Sequence, residues 1–409
     1  MSSRLPQEGS RINREKTVDF RFNGKNLKGF DGDTVASALL ANNELLVARS
    51  FKYHRPRGIF SAGEEEPNAL MGIGEGPFFE PNIRATEVKL KQNMNVASQN
   101  HWPSLTFDLL SINNVFSRFF AAGFYYKTFM WPRAAWKHLF EPMIRRASGL
   151  GNTPREYDEE HYEHIYHHTD VLIIGGGLAG ITAAKSLRDR GLSIMLCEKD
   201  CVIGGRYLED SKIEEKDRYK KFHEKSIGIL KKSKDISVKL NTTVTGIFDH
   251  GFVLAYEENQ HSDTATKKAL WKIRAKTIIL CTGAIERPLV FPDNDLPGIM
   301  LAASVRDYLQ KYGVLLGDQL VLTTNNDYAY KTVIELKRRG IDVPVVLDTR
   351  TSSDDPIIEE IGSLGIRILF GKCIGKVEGK RKVDAVGICS VSYTHLRAHE
   401  TREDRVCRR

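Results

Sequence analysis

The sequence predicts an α/β protein: a small α+β domain, then a connector, then two strand–helix–strand modules of the Rossmann type. Three observations carry that expectation. Val18, Phe20 and Phe22 alternate ahead of Asn23-Gly24, the pattern of a half-buried strand entering a hairpin turn. DVLIIGGGLAG, Asp170 to Gly180, is an apolar strand that enters a glycine turn and then a helix. GDQLVLTTNNDYAYKTVIELKRRGIDVPVVLDTR, Gly317 to Arg350, repeats strand, helix and strand without the glycines.

The 409 residues suffice for two or three domains, and 41% hydrophobic with 27% charged residues is ordinary for a globular protein. The net charge of +8 is spread among acids, and no RNA- or DNA-binding motif accompanies it. The N-terminus, MSSRLPQEGSRINREK, has no apolar stretch of the kind a secretory signal needs. Arg118, Lys127, Arg133 and Lys137 interrupt the aromatic run Phe116 to Phe140, so it does not read as a membrane span. Six cysteines without framework spacing point to a reducing cytoplasm.

Residues 1–15 read as a flexible arm. Residues 16–100 read as strand, turn, strand and a helix starting at Asp31-Gly32-Asp33-Thr34, followed by loops and a last strand near Thr86 to Leu90. This layout resembles the ubiquitin-like fold of plant-type ferredoxins. Four cysteine thiolates hold such a cluster, but the first cysteine here is Cys197, so the domain is expected to lack one. Residues 101–168 form an aromatic helical connector with three of the four tryptophans. Phe116, Phe119, Phe120 and Phe124 recur at helical spacing and read first as core packing. A partner-subunit surface is the second reading, because aromatics and arginines dominate interfaces. His161 to His168, HYEHIYHH, has no nearby cysteine or second ligand cluster and reads as linker rather than metal site.

Residues 169–315 form the first nucleotide-binding domain. Gly175 permits the tight turn, Gly177 lets the backbone approach a pyrophosphate, and Gly180 allows close helix–strand packing. The helix N-terminus offers N–H groups and a positive dipole end to phosphates. Glu198 ends the second strand at the spacing where an acid meets ribose hydroxyls, which favours NAD or FAD over NADP. The fingerprint alone does not separate NAD from FAD. Gly204-Gly205-Arg206 folds back over the nucleotide as in two-dinucleotide flavoproteins, a class that SVKLNTTVTGIF onward and the strand before Thr282-Gly283-Ala284 also resemble. That resemblance puts Val244 near an adenine and Thr282-Gly283 over the pyrophosphate. Cys197 and Cys201 read as incidental reduced thiols.

Residues 316–390 form a second, degenerate module. No glycine lies between Gly317 and Gly340, and side chains at Thr323 to Asp327 block close approach to phosphate. Residues 391–409, VSYTHLRAHETREDRVCRR, resemble a translated sequencing-adapter read-through. The chain is expected to be truncated there, with a longer natural protein.

RSFKYHRPRGIFSAGEEEPNALMGIG, the connector, DVLIIGGGLAG and CTGAIERPLVFPDNDLPGIMLA together resemble the α subunit of heterotetrameric sarcosine oxidase. The resemblance implies a complex with β, γ and δ subunits that oxidatively demethylates sarcosine to glycine with oxygen as acceptor. FAD then belongs to the β subunit, FMN to the α–β interface, and NAD to this chain. It implies that tetrahydrofolate takes the methylene group in a domain this sequence lacks. The implied NAD site comprises Gly175, Gly177, Leu178, Ala179, Gly180, Glu198, Lys199, Gly205, Arg206, Val244, Thr282 and Gly283, with no catalytic or metal-binding residue. Two other readings remain: a subunit of a related N-methyl amino acid or dimethylglycine oxidising enzyme, and a stand-alone FAD-dependent oxidoreductase.

Overall fold

The computed structural model describes residues 3–6, 8–119, 123, 129, 131–210, 216–258 and 266–391. Two compact units emerge: residues 1–156 with 286–409, and residues 157–285. Among the described residues no helix is long and apolar enough to cross a membrane.

The first unit opens with β1 (Asn13–Phe22) and β2 (Lys25–Asp31). Asn23 and Gly24 both have positive φ, which the tight hairpin turn requires. Thr34 and Ser37 form a capping box at the head of α1 (Val35–Ala41), a helix buried at every position. A short ladder of β3 (Ala48–Arg49) and β4 (Pro56–Arg57) precedes β5 (Leu70–Ile73), β6 (Glu80–Arg84) and β7 (Met94–Ser98). The sheet runs β2-β1-β7-β5-β6, with β1 and β7 parallel. Val18, Phe20 and Phe22 face the core with Leu39 and Met71.

The last strand is Met94–Ser98 rather than Thr86 to Leu90. The earlier segment meets the helix instead: the Val35 and Ala36 N–H groups donate to the Val88 and Ala85 carbonyls. Those are donors that a helix start leaves without an intrahelical partner.

The loop between β4 and β5 is tied by Glu66, whose buried carboxylate accepts from the N–H groups of Phe60, Ser61, Asn68 and Ala69. Arg55 bonds Asp295 through Nε at 2.9 Å and also pairs with Asp293, while Arg57 pairs with Asp295. The two most distinctive stretches of the sequence therefore hold each other, although they lie about 240 positions apart.

The connector consists of short helical turns such as Ile112–Val115 and Glu141–Ala147. Many of its described apolar side chains are exposed, although Leu105 packs into the first core: Trp131 is 83% and Trp102 60% accessible, and Ile112, Val115 and Phe116 are also exposed. The described turns are too short to present a continuous apolar face. Phe120, Phe124 and Tyr125 lie outside the described residues, as does the tail from 392 onward.

The second unit is a six-stranded sheet, β10-β9-β8-β13-β12-β11. β8 (His161–Ile174) leads through α2 (Leu178–Leu187) to β9 (Ile194–Cys197). α3 (Lys216–Lys232), β10 (Ile236–Lys239), β11 (Thr242–Phe248), β12 (Phe252–Glu258) and β13 (Thr266–Leu280) follow. β8 and β13 are parallel and paired from His161↔Thr266 to Ile174↔Leu280. His161 to His168 is thus strand, not linker, and alternation sends its histidines to opposite faces. Among the described residues no group of three His, Cys, Asp or Glu side chains is placed to hold a metal ion.

The chain then returns to the first unit through α4 (Ala302–Tyr312), β14 (Leu322–Thr324), α5 (Tyr330–Arg338), β15 (Val345–Asp348), α6 (Ile357–Ser363) and β16 (Arg367–Phe370). β14, β15 and β16 form a parallel sheet, and β17 (Lys372–Glu378) pairs with β18 (Ala385–Ser390) as a hairpin. Residues 286–315 therefore do not complete the nucleotide domain, as the sequence had implied. α4 and the residue pair after it bury Tyr308, Tyr312 and Val314 in the ferredoxin-like core, and Ala302, Val305 and Leu309 in the second α/β core. Nor is the N-terminus a loose arm. Arg4 pairs with Asp33 at 2.6 Å, almost fully buried, and Leu5 N–H donates to the Gly313 carbonyl at 2.9 Å.

Candidate functional site

The carboxyl end of β8 carries the glycine turn, and each glycine has a separate reason to be one. Gly175 has φ +102, and a Cβ there would collide with the Cys281 carbonyl. A Cβ on Gly180 would collide with the Gly175 carbonyl, because α2 packs directly on the turn. Gly177 differs. Its φ is −69, its conformation suits any residue, and a Cβ would meet nothing within 4 Å. Of the four glycines at this turn, Gly177 alone leaves its Cβ direction open.

Gly177 is also the N-cap of α2 and supplies no side-chain cap, so the N–H groups of Leu178 and Ala179 point out ahead of the helix. Glu198, 7% exposed, accepts from Gly176 N–H at 2.6 Å and from Asp200 N–H at 2.9 Å. A carboxylate has about four acceptor positions, so it keeps capacity for a hydroxyl donor. Lys199 beside it is exposed.

Two segments converge on the turn. Gly204 N–H donates to the Gly176 carbonyl at 2.8 Å, and Gly205, at φ +58, stands with its Cβ direction 3.1 Å from Gly177 Cα. Arg206 follows on the surface. On the other side Cys281 N–H donates to the Ile174 carbonyl at 2.8 Å, leading into exposed Thr282 and Gly283. Thr242 N–H donates to the Glu198 carbonyl at 2.9 Å, which brings Val244, two residues along β11, into the same neighbourhood. All twelve residues singled out in the sequence lie in this one unit.

The spacing rule missed Gly176. A Cβ there would lie 2.8 Å from Ile203 Cγ2 and 2.9 Å from Glu198 Oε2. The fingerprint leaves that position open, so only the run of three glycines hinted at it. It also missed Asn241-Thr242, whose contribution is purely backbone.

Burial pushes the Cys197 thiol up to about 12 and also raises Cys281. A cavity of about 730 Å³ elsewhere in the unit is lined by His168, Asp170, Ser193, His250, Arg274 and Lys276, with none of the fingerprint residues. Its charges serve each other: Lys276 bonds Asp170 at 2.6 Å, which helps hold that carboxyl down at about 2.

The second module shows what a closed turn looks like. Asp348 ends β15 where a ribose-binding acid would stand, but it accepts from Tyr330 OH at 2.6 Å and from Arg350 at 2.7 Å. Arg350 also clamps Asp327 in the turn, at 2.7 and 2.9 Å, holding that carboxyl down at about 2. Its acid is already engaged by the protein.

Gly180→Ala is expected to cost the second unit about 3 kcal/mol, because the backbone that it meets cannot yield as a side chain would. Gly177→Ala should leave stability within about 0.5 kcal/mol. Denaturant titration of both variants checks the contrast.

Residues 15–101 match the family described as a 2Fe-2S iron-sulfur cluster binding domain, and residues 169–321 match the pyridine nucleotide-disulphide oxidoreductase family. The residues present do not fit such a cluster, since no cysteine precedes Cys197. Protein purified anaerobically should contain no stoichiometric iron by elemental analysis; iron at cluster stoichiometry would refute this.

The chain resembles L-proline dehydrogenase from P. horikoshii in fold, with TM-score 0.58 and 22% identity, covering 95% of this chain and 61% of that one. It is 42% identical over 357 residues to the sarcosine oxidase subunit alpha of Rhizobium meliloti (strain 1021), covering 86% of this chain and 36% of that protein. It is 34% identical over 391 residues to the sarcosine oxidase subunit alpha of Corynebacterium sp. (strain P-1), covering 92% of this chain and 35% of that protein. It spans about a third of the length of both relatives. Over most of its length, the chain is a homologue of sarcosine oxidase α subunits.

Proposed function

We propose that this chain supplies the dinucleotide site and a subunit surface of a sarcosine oxidase, holding NAD at the glycine turn of residues 175–180. The observation that carries the reading is Gly177: a Cβ on Gly175, Gly176 or Gly180 would collide with neighbouring atoms, whereas one on Gly177 would meet nothing. The pyrophosphate would sit there, against the N–H groups of Leu178 and Ala179. Glu198 would accept from the ribose, with Lys199 and Arg206 adding positive charge nearby. Val244 would flank the adenine, and Thr282, Gly283 and Gly205 would close over the phosphates. Close approach depends on Gly175 and Gly180 staying free of side chains.

The substrate chemistry is oxidative demethylation of sarcosine to glycine, with oxygen as acceptor and tetrahydrofolate taking the methylene group. Bound flavin, FAD on a β subunit and FMN at its interface with this chain, supplies the two-electron oxidation. In this reading the residues at the glycine turn bind and orient the nucleotide. The exposed aromatics of the connector, Trp102, Phe107 and Trp131 among them, suit a partner subunit, because such side chains anchor interfaces. γ and δ subunits complete the assembly in this reading, and its compartment is the cytoplasm.

Denaturing the purified chain and analysing the released small molecules by mass spectrometry tests the cofactor assignment. Stoichiometric NAD from a colourless protein is the expected result. Stoichiometric FAD from a yellow protein would favour a flavoenzyme with its own redox centre and overturn the NAD reading.

A further inference from the structure

A pair of thiols stands apart from the nucleotide site. Cys373 on β17 and Cys389 on β18 are direct partners in the antiparallel register, and their sulfurs lie 3.4 Å apart. Val391 N–H donates to the Gly371 carbonyl, so two residues further on Cys373 and Cys389 fall at another hydrogen-bonded pair. Cα atoms at such pairs are about 5.5 Å apart, inside the range that a disulfide spans without backbone movement.

The hairpin is built around these sulfurs. Ile374 and Val377 are both buried on its inner face with Leu347, although an odd spacing should send them to opposite faces. An irregularity between Ile374 and Lys376 resets the alternation at Gly375. A Cβ on Gly375 would stand 2.7 Å from Cys389 Sγ, so the glycine also makes room for the sulfur. Cys373 is left on the face opposite Ile374, and both thiols are partly accessible and reduced.

We propose that Cys373 and Cys389 form a thiol modification site that reacts with low-molecular-weight disulfides and closes to a reversible cross-strand disulfide. One thiolate attacks the small disulfide, forming a mixed disulfide and releasing one small thiol. The second thiolate then attacks the protein sulfur of that adduct and releases the other. The two cysteines lose two protons and two electrons, and the small disulfide gains both as two thiols. Proximity makes the second step intramolecular and faster than capture of a second adduct. Burial, with a hydrogen bond to Cys389, pushes the Cys373 thiol up to about 11. This attack therefore slows at neutral pH and quickens with rising pH.

The test uses the full reduced chain, oxidised glutathione as the probe, and mass spectrometry of a non-reducing digest after alkylation. The expected result is a peptide pair linked through Cys373 and Cys389, with two of the six thiols lost to alkylation and both restored by dithiothreitol. Cys389→Ser should leave a persistent glutathione adduct on Cys373. Adducts or alkylation on both cysteines of the unaltered chain, without the linked pair, would overturn the proposal. A Cys389→Ser chain that takes no glutathione on Cys373 would do the same.

Discussion

Gly177→Val is expected to weaken NAD binding by at least about a hundredfold, equivalent to about 3 kcal/mol, while the chain stays folded. The position has φ −69 and ψ −175, a conformation that a β-branched residue adopts readily. A Cβ there meets no protein atom within 4 Å, so the valine side chain enters only the space proposed for the pyrophosphate. Valine also hinders approach to the N–H groups of Leu178 and Ala179, which are the strongest phosphate donors on offer. Loss of binding with unchanged unfolding would therefore report on the ligand alone. Calorimetric titration with NAD, set beside a urea melt, makes the measurement. Affinity equal to that of the unaltered chain would sink the assignment of this turn.

This contrast among neighbouring glycines could not be read from spacing. The fingerprint gives Gly175, Gly177 and Gly180 the same letter. Only the backbone shows that two are required by the protein and that a Cβ on the third would meet nothing. The elements themselves were legible wherever side-chain periodicity or turn chemistry set them: the Asn23-Gly24 hairpin, the Thr34 cap, and the strand, turn and helix at 170–187. What stayed hidden was held by backbone. Leu5, Ser10 and Arg11 lace onto the end of α4 through main-chain bonds that any sequence offers. His161 to His168 forms a strand because β13 runs beside it, and with most of its residues outside the core no alternation marks it. α4 serves two cores at once, so its apolar residues occupy more than one face and point to no single domain. The pairing of Cys373 with Cys389 depends on hairpin register across a bulge, which a separation of 16 positions does not reveal.

The chain alone is expected to produce no peroxide from sarcosine, and activity is expected only when a complete α subunit assembles with its partners. Catalysis needs a group that touches the reacting atoms with a suitable ionisation. Here the buried Cys197 thiol is held at about 12, far from any working pH, and Glu198 is bonded to two backbone N–H groups of its own turn. In the second module Asp348, Asp327, Tyr330 and Arg350 bond one another, so the acid at the end of β15 is engaged by the protein. In the proposed reading the hydride acceptor sits on another subunit, and this chain would contribute position and interface. Trp131, the most exposed of the connector tryptophans in the described structure, is the residue whose loss should be felt most. Trp131→Ala should weaken assembly by about 2 kcal/mol, roughly thirtyfold, with NAD affinity unchanged, since interface anchors carry energies of that size. A peroxide-coupled assay on the isolated chain, followed by co-purification of the full α subunit with and without the substitution, separates the two claims. Peroxide from the chain alone would end the proposal that its chemistry lies elsewhere; undiminished assembly of the Trp131→Ala subunit would remove the connector as the docking surface.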